Sequence, residues 1–162
     1  MATSEQDRTL VERILGCRPV GTAGEAKAVQ KYVEANGLLG DGETFLAGCD
    51  DTWLSDASRG HVLTDGRLFR YSTREVHAIV LLDRVDHLRV RRMWYPGVPL
   101  VSRGEVFGDG PILILRFRFT SGDGTTRRLR LQTYAAILRP FVEGLVGRFP
   151  GRVEVARTLP GF

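Results

Sequence analysis

Lysine is almost absent from this 162-residue chain: Lys27 and Lys31 are its two copies, so nearly all of the 23 basic residues are arginine. Cysteine is equally scarce. Cys17 and Cys49 stand in different contexts without metal-ligand spacing, a pattern open to one disulfide or to the two reduced thiols of a cytosolic protein, the reading adopted here. The longest apolar run, residues 78–82, falls far short of the ~20 residues a membrane span requires. The opening M-A-T-S-E-Q-D-R is polar and acidic, unlike a secretory signal. Motifs of common enzyme chemistry are missing too. His61, His77 and His87 fall on predicted strands, without His-x-x-x-His or Cys-x-x-Cys spacing for a metal. There is no glycine-rich phosphate loop with its lysine and no G-x-S-x-G elbow. Asp50, Asp51, Asp65 and Asp83 lie at turns, where aspartate bonds the local backbone. The expectation is a cytoplasmic, non-enzymatic protein with no cofactor and no metal.

What is present suits a folded domain. A hydrophobic content of 43% in a chain of this length supports a real core. The net charge of +4 is unevenly spread: residues 1–42 sum to −1, whereas residues 84–130 carry ten arginines and a net +6. Arginine binds planar anions in a bidentate way, so its dominance suits ion pairing or phosphate contact; codon bias in a GC-rich genome is the plainer reading.

Residues 1–40 read as helical. Leu10, Val11, Ile14 and Leu15 recur at helix spacing after Ser4, a candidate N-cap. Ala26, Val29, Tyr32 and Val33 form a second apolar stripe that stops at Asn36-Gly37. From Gly42 the period becomes two. Residues 43–49 and 52–56 suggest a first hairpin around Asp50-Asp51. Residues 60–71, G-H-V-L-T-D-G-R-L-F-R-Y, spell a second, with Asp65-Gly66 expected to form a tight turn at positive φ. Strands follow at 76–82, 85–94 and 98–103, then a glycine-rich turn at 105–111. Residues 112–120 and 126–133 form the clearest long hairpin. Residues 133–148 return to helix spacing, and Pro140 implies a kink or a late start. Residues 151–162 form a tail or an edge strand.

Many short strands followed by one amphipathic helix, with Gly42-Glu43 ahead of V-L-T-D-G-R-L (62–68) and I-V-L-L-D-R-V-D-H-L (79–88), resemble the bacterial pleckstrin-homology-like (PH-like) and GRAM-like families. The resemblance spans roughly residues 42–149. It implies a mainly β fold with α: a curved β-sandwich or barrel of about seven strands at 41–150, plugged by its C-terminal helix through Phe141, Leu145 and Phe149. Residues 1–40 then form a helical extension and 151–162 the tail. Many eukaryotic members bind phosphoinositides on their first two strands. Here that region holds Asp50, Asp51 and Asp56 against Arg59 alone, which points instead to a protein-interaction or regulatory module. Thr64, Asp65, Gly66, Arg67 and Leu68 read as structural, with Arg67 capping carbonyls or pairing with an acid.

The candidate site is an arginine ladder. Leu113, Leu115, Phe117 and Phe119 share one face of their strand, so Arg116 and Arg118 share the other; by the same alternation Arg128 and Arg130 oppose Leu129 and Leu131. Symmetric pairing about the turn sets Arg116 opposite Arg130 and Arg118 opposite Arg128. Four like charges so placed are mutually destabilising and call for a counter-charge. That counter-charge is either the chain's own carboxylates or an anionic partner. His87, Arg89 and Arg91 lie on one face of residues 85–94 and either extend this patch or form a separate edge; Trp94-Tyr95, next in the chain, fits a core or rim as well as a stacking platform. The expected function is a binding module for an acidic protein partner or other anionic group through Arg116, Arg118, Arg128, Arg130, Arg89 and Arg91. The alternatives are a nucleic-acid or anionic-lipid binder, suggested by a pI near 9.5, and an oligomeric structural subunit whose N-terminal helices pack on another copy.

Overall fold

The computed structural model describes residues 5–15, 24–50, 56–95, 100–102, 105–107, 112–133 and 138–156. Two helices come first, α1 (Glu5–Leu15) and α2 (Gly24–Ala35). Four strands follow, β1 (Phe45–Asp50), β2 (Arg59–Thr64), β3 (Arg67–Ser72) and β4 (Glu75–Leu81), which form an antiparallel sheet in sequence order. A single 3-10 turn, Leu82–Arg84, swings the chain into the eleven-residue β5 (Val85–Tyr95). The short strands β6 (Leu100–Ser102) and β7 (Glu105–Phe107) pair with each other. The strands β8 (Ile112–Ser121) and β9 (Thr126–Thr133) then pair as a hairpin, followed by helix α3 (Leu138–Arg148) and strand β10 (Val153–Ala156). The second sheet has the order β10-β5-β8-β9, with β10 parallel to β5 and the remaining pairs antiparallel.

The result is a mixed α/β fold: eight strands in two open sheets of four, with helices at both ends, and no closed barrel among the described residues. Several expectations are corrected by this pairing. β1 pairs with β2, in register from Asp50↔Gly60; Asp56 lies outside any strand, and residues 51–55 of the expected first hairpin lie outside the described residues. Residues 105–107 form a strand instead of a turn because they pair with 100–102. The turn at Asp65-Gly66 joins β2 to β3 as expected, but neither residue enters the left-handed region. The Thr64 hydroxyl closes it instead, accepting from the amides of Gly66 (3.3 Å) and Arg67 (3.0 Å). Pro140 is the third residue of α3, within the first turn, whose amides have no intrahelical partner anyway. Residues 134–137 of the expected helix lie outside the described residues.

Both faces of the inner strands β2 and β3 are covered, whereas β4 is largely exposed and leaves Ile79 and Leu81 in solvent. On one face α2 lays Val29 and Val33 against Val62, Phe69 and Tyr71. The approach is close enough that a Cβ on Gly48 of β1 would sit 2.5 Å from Val29 Cγ1. Gly37, at φ +62°, ends α2 in a Schellman arrangement: Leu38 donates to the Val33 carbonyl and Gly37 to that of Glu34. On the other face Ala47, Cys49, Leu63, Leu68 and Val80 join the main core. That core also takes Val11, Ile14 and Leu15 of α1, Phe141, Val142, Leu145 and Val146 of α3, Phe149 just after it, and the inner face of the second sheet. The apolar stripe of α2 thus packs on the first sheet, and that of α1 enters the main core beside α3. No helix among the described residues is long and apolar enough to cross a membrane.

The Gly-Glu and Thr-Asp-x-Arg segments meet in one polar cluster. Arg67 reaches Glu43 with two nitrogens, at 2.7 Å (Nε to Oε1) and 2.8 Å (Nη2 to Oε2). The same Nη2 donates to the Leu38 carbonyl at 3.0 Å, and the guanidinium lies 4.5 Å from the Phe69 ring centroid. Thr64 Oγ1 donates to Glu43 at 2.6 Å, and the Gly40 amide does so at 2.7 Å. Arg67 therefore both caps a carbonyl and pairs with an acid. The cluster ties the α2–β1 connection to the β2–β3 turn.

The Arg67 hydrogen bonds, helped by Thr64 and Gly40 and outweighing the opposing effect of burial, lower the Glu43 carboxyl from 4.5 to about 2. A carboxylate whose pKa is lower folded than unfolded adds stability above its unfolded pKa and loses it as pH falls. Glu43→Gln is expected to cost about 1–3 kcal/mol at neutral pH in urea denaturation. The gap from the parent protein should stay constant down to pH ~4.5 and close between there and pH ~2.

Candidate anion-binding face

Alternation along β5, β8 and β9 decides where the arginines go. Leu88 and Val90, Leu115, Phe117 and Phe119, and Leu129 and Leu131 are all buried in the main core, with Phe117 stacked on Phe119 (6.2 Å between centroids) and tilted against Phe141 of α3 (6.4 Å). Side chains between them must point the other way. The register then aligns them across strands. Arg89 of β5 faces Arg118 of β8, which faces Arg128 of β9; Arg91 faces Arg116, which faces Arg130. The expected Arg116–Arg130 and Arg118–Arg128 pairings are thus present, and β5 brings Arg89 and Arg91 into the same face rather than to a separate edge.

These six arginines make two rows on three adjacent strands. Strand geometry sets neighbours about 4.8 Å apart across strands and about 6.6–6.8 Å apart along them. Together with Glu154, Val155 and Ala156 of β10 and the strand segments at Phe117 and Leu129, they line a shallow groove of about 960 Å³. Arg89, Arg116, Arg118, Arg128 and Arg130 are exposed and Arg91 is half-buried.

Among the described residues, one carboxylate enters this face. Glu154 stands beside Arg89 in the β10–β5 register, its Oε1 3.3 Å from Arg89 Nε and its Oε2 3.5 Å from His87 Nε2. Among the described residues, no carboxylate pairs with Arg91, Arg116, Arg118, Arg128 or Arg130. A second depression of about 700 Å³ differs: Glu43, Asp65 and Asp83 mix there with Arg67, Arg148 and Arg152.

Glu154 is the part of the site that sequence reading missed. Val153 and Val155 carry a strand signal, and strand alternation puts Glu154 on the face opposite theirs. What it faces depends on the parallel docking of β10 on β5, about 65 residues away in the chain. The other polar candidates have local tasks. Asp50 accepts the Ala57 amide (3.0 Å) and Asp56 that of Ser58 (2.9 Å). His61 is buried on β2, and its burial, reinforced by Arg70, lowers its pKa to about 3. His77 lies on β4 of the other sheet, half-exposed beside Glu75. No group of three or more His, Cys, Asp or Glu side chains among the described residues is arranged to hold a metal. Cys49 is buried in the main core with its Sγ 3.9 Å from the Asp50 carbonyl, and Cys17 lies outside the described residues. Comparison with protein-family models, curated proteins and solved structures found no match.

Like charges directly opposite one another destabilise a sheet, and Arg118 has arginine on both neighbouring strands and at Arg116 along its own. Arg118→Glu is therefore expected to raise stability by about 0.5–1 kcal/mol in low-salt thermal or urea denaturation. The gain should fade toward 1 M salt, where the screening length drops to about 3 Å.

Proposed function

We propose that this chain is a cytoplasmic, non-enzymatic interaction module of the PH-like type that holds an anionic partner, an acidic protein foremost, on the arginine face of its second sheet. One observation carries the reading: six arginines stand in register on three strands while, among the described residues, a single carboxylate pairs with them. An internally neutralised face would interleave acids with the arginines along the same rows. The guanidinium array suits carboxylates or phosphates, which it binds through paired N–H donors. The PH-like assignment is supported by the run of strands closing on an amphipathic helix whose Phe141 and Leu145, with Phe149 just past its end, enter the core. The open sheets and the strand after that helix are its departures from the family pattern.

A nucleic acid or an anionic membrane is the second reading, since a contiguous basic patch attracts any polyanion. Single-strand binders add aromatic platforms on which bases stack. Among the described side chains no Phe, Tyr or Trp stands in the arginine rows or on their His87, Thr120 and Thr126 flank; Trp94 and Tyr95 end β5, and their side chains lie outside the described residues. That composition favours the acidic protein.

The test is titration of poly-L-glutamate, a single-stranded oligonucleotide and phosphatidylserine vesicles into the parent protein and Arg116→Glu/Arg128→Glu, at low and high salt. Poly-L-glutamate should bind the parent tightest. Its affinity should fall at least about tenfold between 50 and 500 mM salt and be lost in the variant. Unchanged binding by the variant would sink the site, and tighter binding of the oligonucleotide or vesicles would install the second reading.

A further inference from the structure

Glu154 shows how this face seats an anion. Its two carboxylate oxygens divide between His87 and Arg89, alternate residues on one face of β5, at 3.5 and 3.3 Å. One carboxylate therefore spans an i, i+2 basic pair whose Cα atoms stand about 6.6–6.8 Å apart. The same spacing recurs on the two neighbouring strands, as Arg116/Arg118 on β8 and Arg128/Arg130 on β9. Neither pair has a carboxylate partner among the described residues, and all four side chains are exposed.

Resting on the reading above, we infer that Glu154 is a tethered carboxylate that fills the β5 seat of the arginine face and competes there with the carboxylates of an acidic partner segment, whose open seats are Arg116/Arg118 and Arg128/Arg130. Three features support competition. Glu154 is half-exposed, so a partner can reach its seat. Its strand is short, four residues at the sheet edge, and is held there by a parallel pairing that does not depend on the glutamate side chain. The pair it makes with Arg89 is solvent-exposed, the class of ion pair worth least and most easily exchanged for another of its kind. The inferred ligand is a carboxylate-bearing protein segment because a carboxylate is what the chain itself places there. Phosphate-bearing polymers become outcomes of the test.

The experiment compares Glu154→Gln with Glu75→Gln, which removes the same charge from β4 of the other sheet, using poly-L-glutamate, inorganic tripolyphosphate and an oligothymidylate as probes at low salt. Glu154→Gln should tighten poly-L-glutamate binding about two- to fivefold, the equivalent of one exposed ion pair, and Glu75→Gln should leave it unchanged. If Glu154→Gln proves less stable, Glu154→Asp, which keeps the charge but withdraws the carboxylate by one methylene, should tighten binding by a smaller factor. No tightening in either variant, or equal tightening in Glu75→Gln, overturns the tethered seat. Tighter binding of tripolyphosphate or oligothymidylate than of poly-L-glutamate overturns the carboxylate assignment. All of these outcomes leave Arg116 and Arg128 essential, so they stay distinct from failure of the arginine face, which shows as intact binding by Arg116→Glu/Arg128→Glu.

Discussion

Everything on the outer face of the second sheet follows from the burial of its inner face. Leu88, Val90, Leu115, Phe117, Phe119, Leu129 and Leu131 pack into the core that holds α1 and α3. Each large apolar side chain so buried is worth roughly 1.5–3 kcal/mol. A slip of one residue in any strand would drive leucine and phenylalanine into water and arginine into the core. The like-charge repulsion across each arginine pair is smaller, at most about 1 kcal/mol. Core packing therefore wins, and the arginines are held in rows that they would not choose for themselves. Their alignment is a by-product of hydrophobic register, and under the proposed function an incoming anion would relieve the repulsion that register imposes.

The first sheet does the opposite work. α2 covers one face of its inner strands and the main core the other, so β2 and β3 serve as the platform of the fold, while β4 stays largely exposed. Its polar investment is local. Glu43, Thr64 and Arg67 satisfy one another at the sheet's end, and the Tyr71 hydroxyl donates to the buried Ala57 carbonyl at 2.7 Å. The two sheets thus divide structure from presentation, with the 3-10 turn at Leu82–Arg84 as the joint between them.

Patterns of short range were legible before any coordinates. The hairpins at 60–71 and 112–133, the helical start and the amphipathic helix before Pro150 each follow from a period of two or 3.6 and from turn residues beside it. The Arg116–Arg130 and Arg118–Arg128 pairs were legible for the same reason, since a short turn sets hairpin register. Less legible were features whose cause is distant. The Thr64 hydroxyl displaces the backbone conformation that Asp-Gly usually adopts. Residues 105–107 become a strand because another segment supplies their hydrogen bonds.

Arginine content, strand alternation and the facing of each side chain within its own strand were determined by the sequence, because side-chain direction in a strand is a local, two-residue property. Tertiary structure decided which strands are neighbours. It set β5 against β8, merging Arg89 and Arg91 with the hairpin arginines into one face, and brought β10 back in parallel so that Glu154 meets that face at its edge. Those choices rest on fitting two helices and two sheets around one core, a balance of packing that no local period encodes.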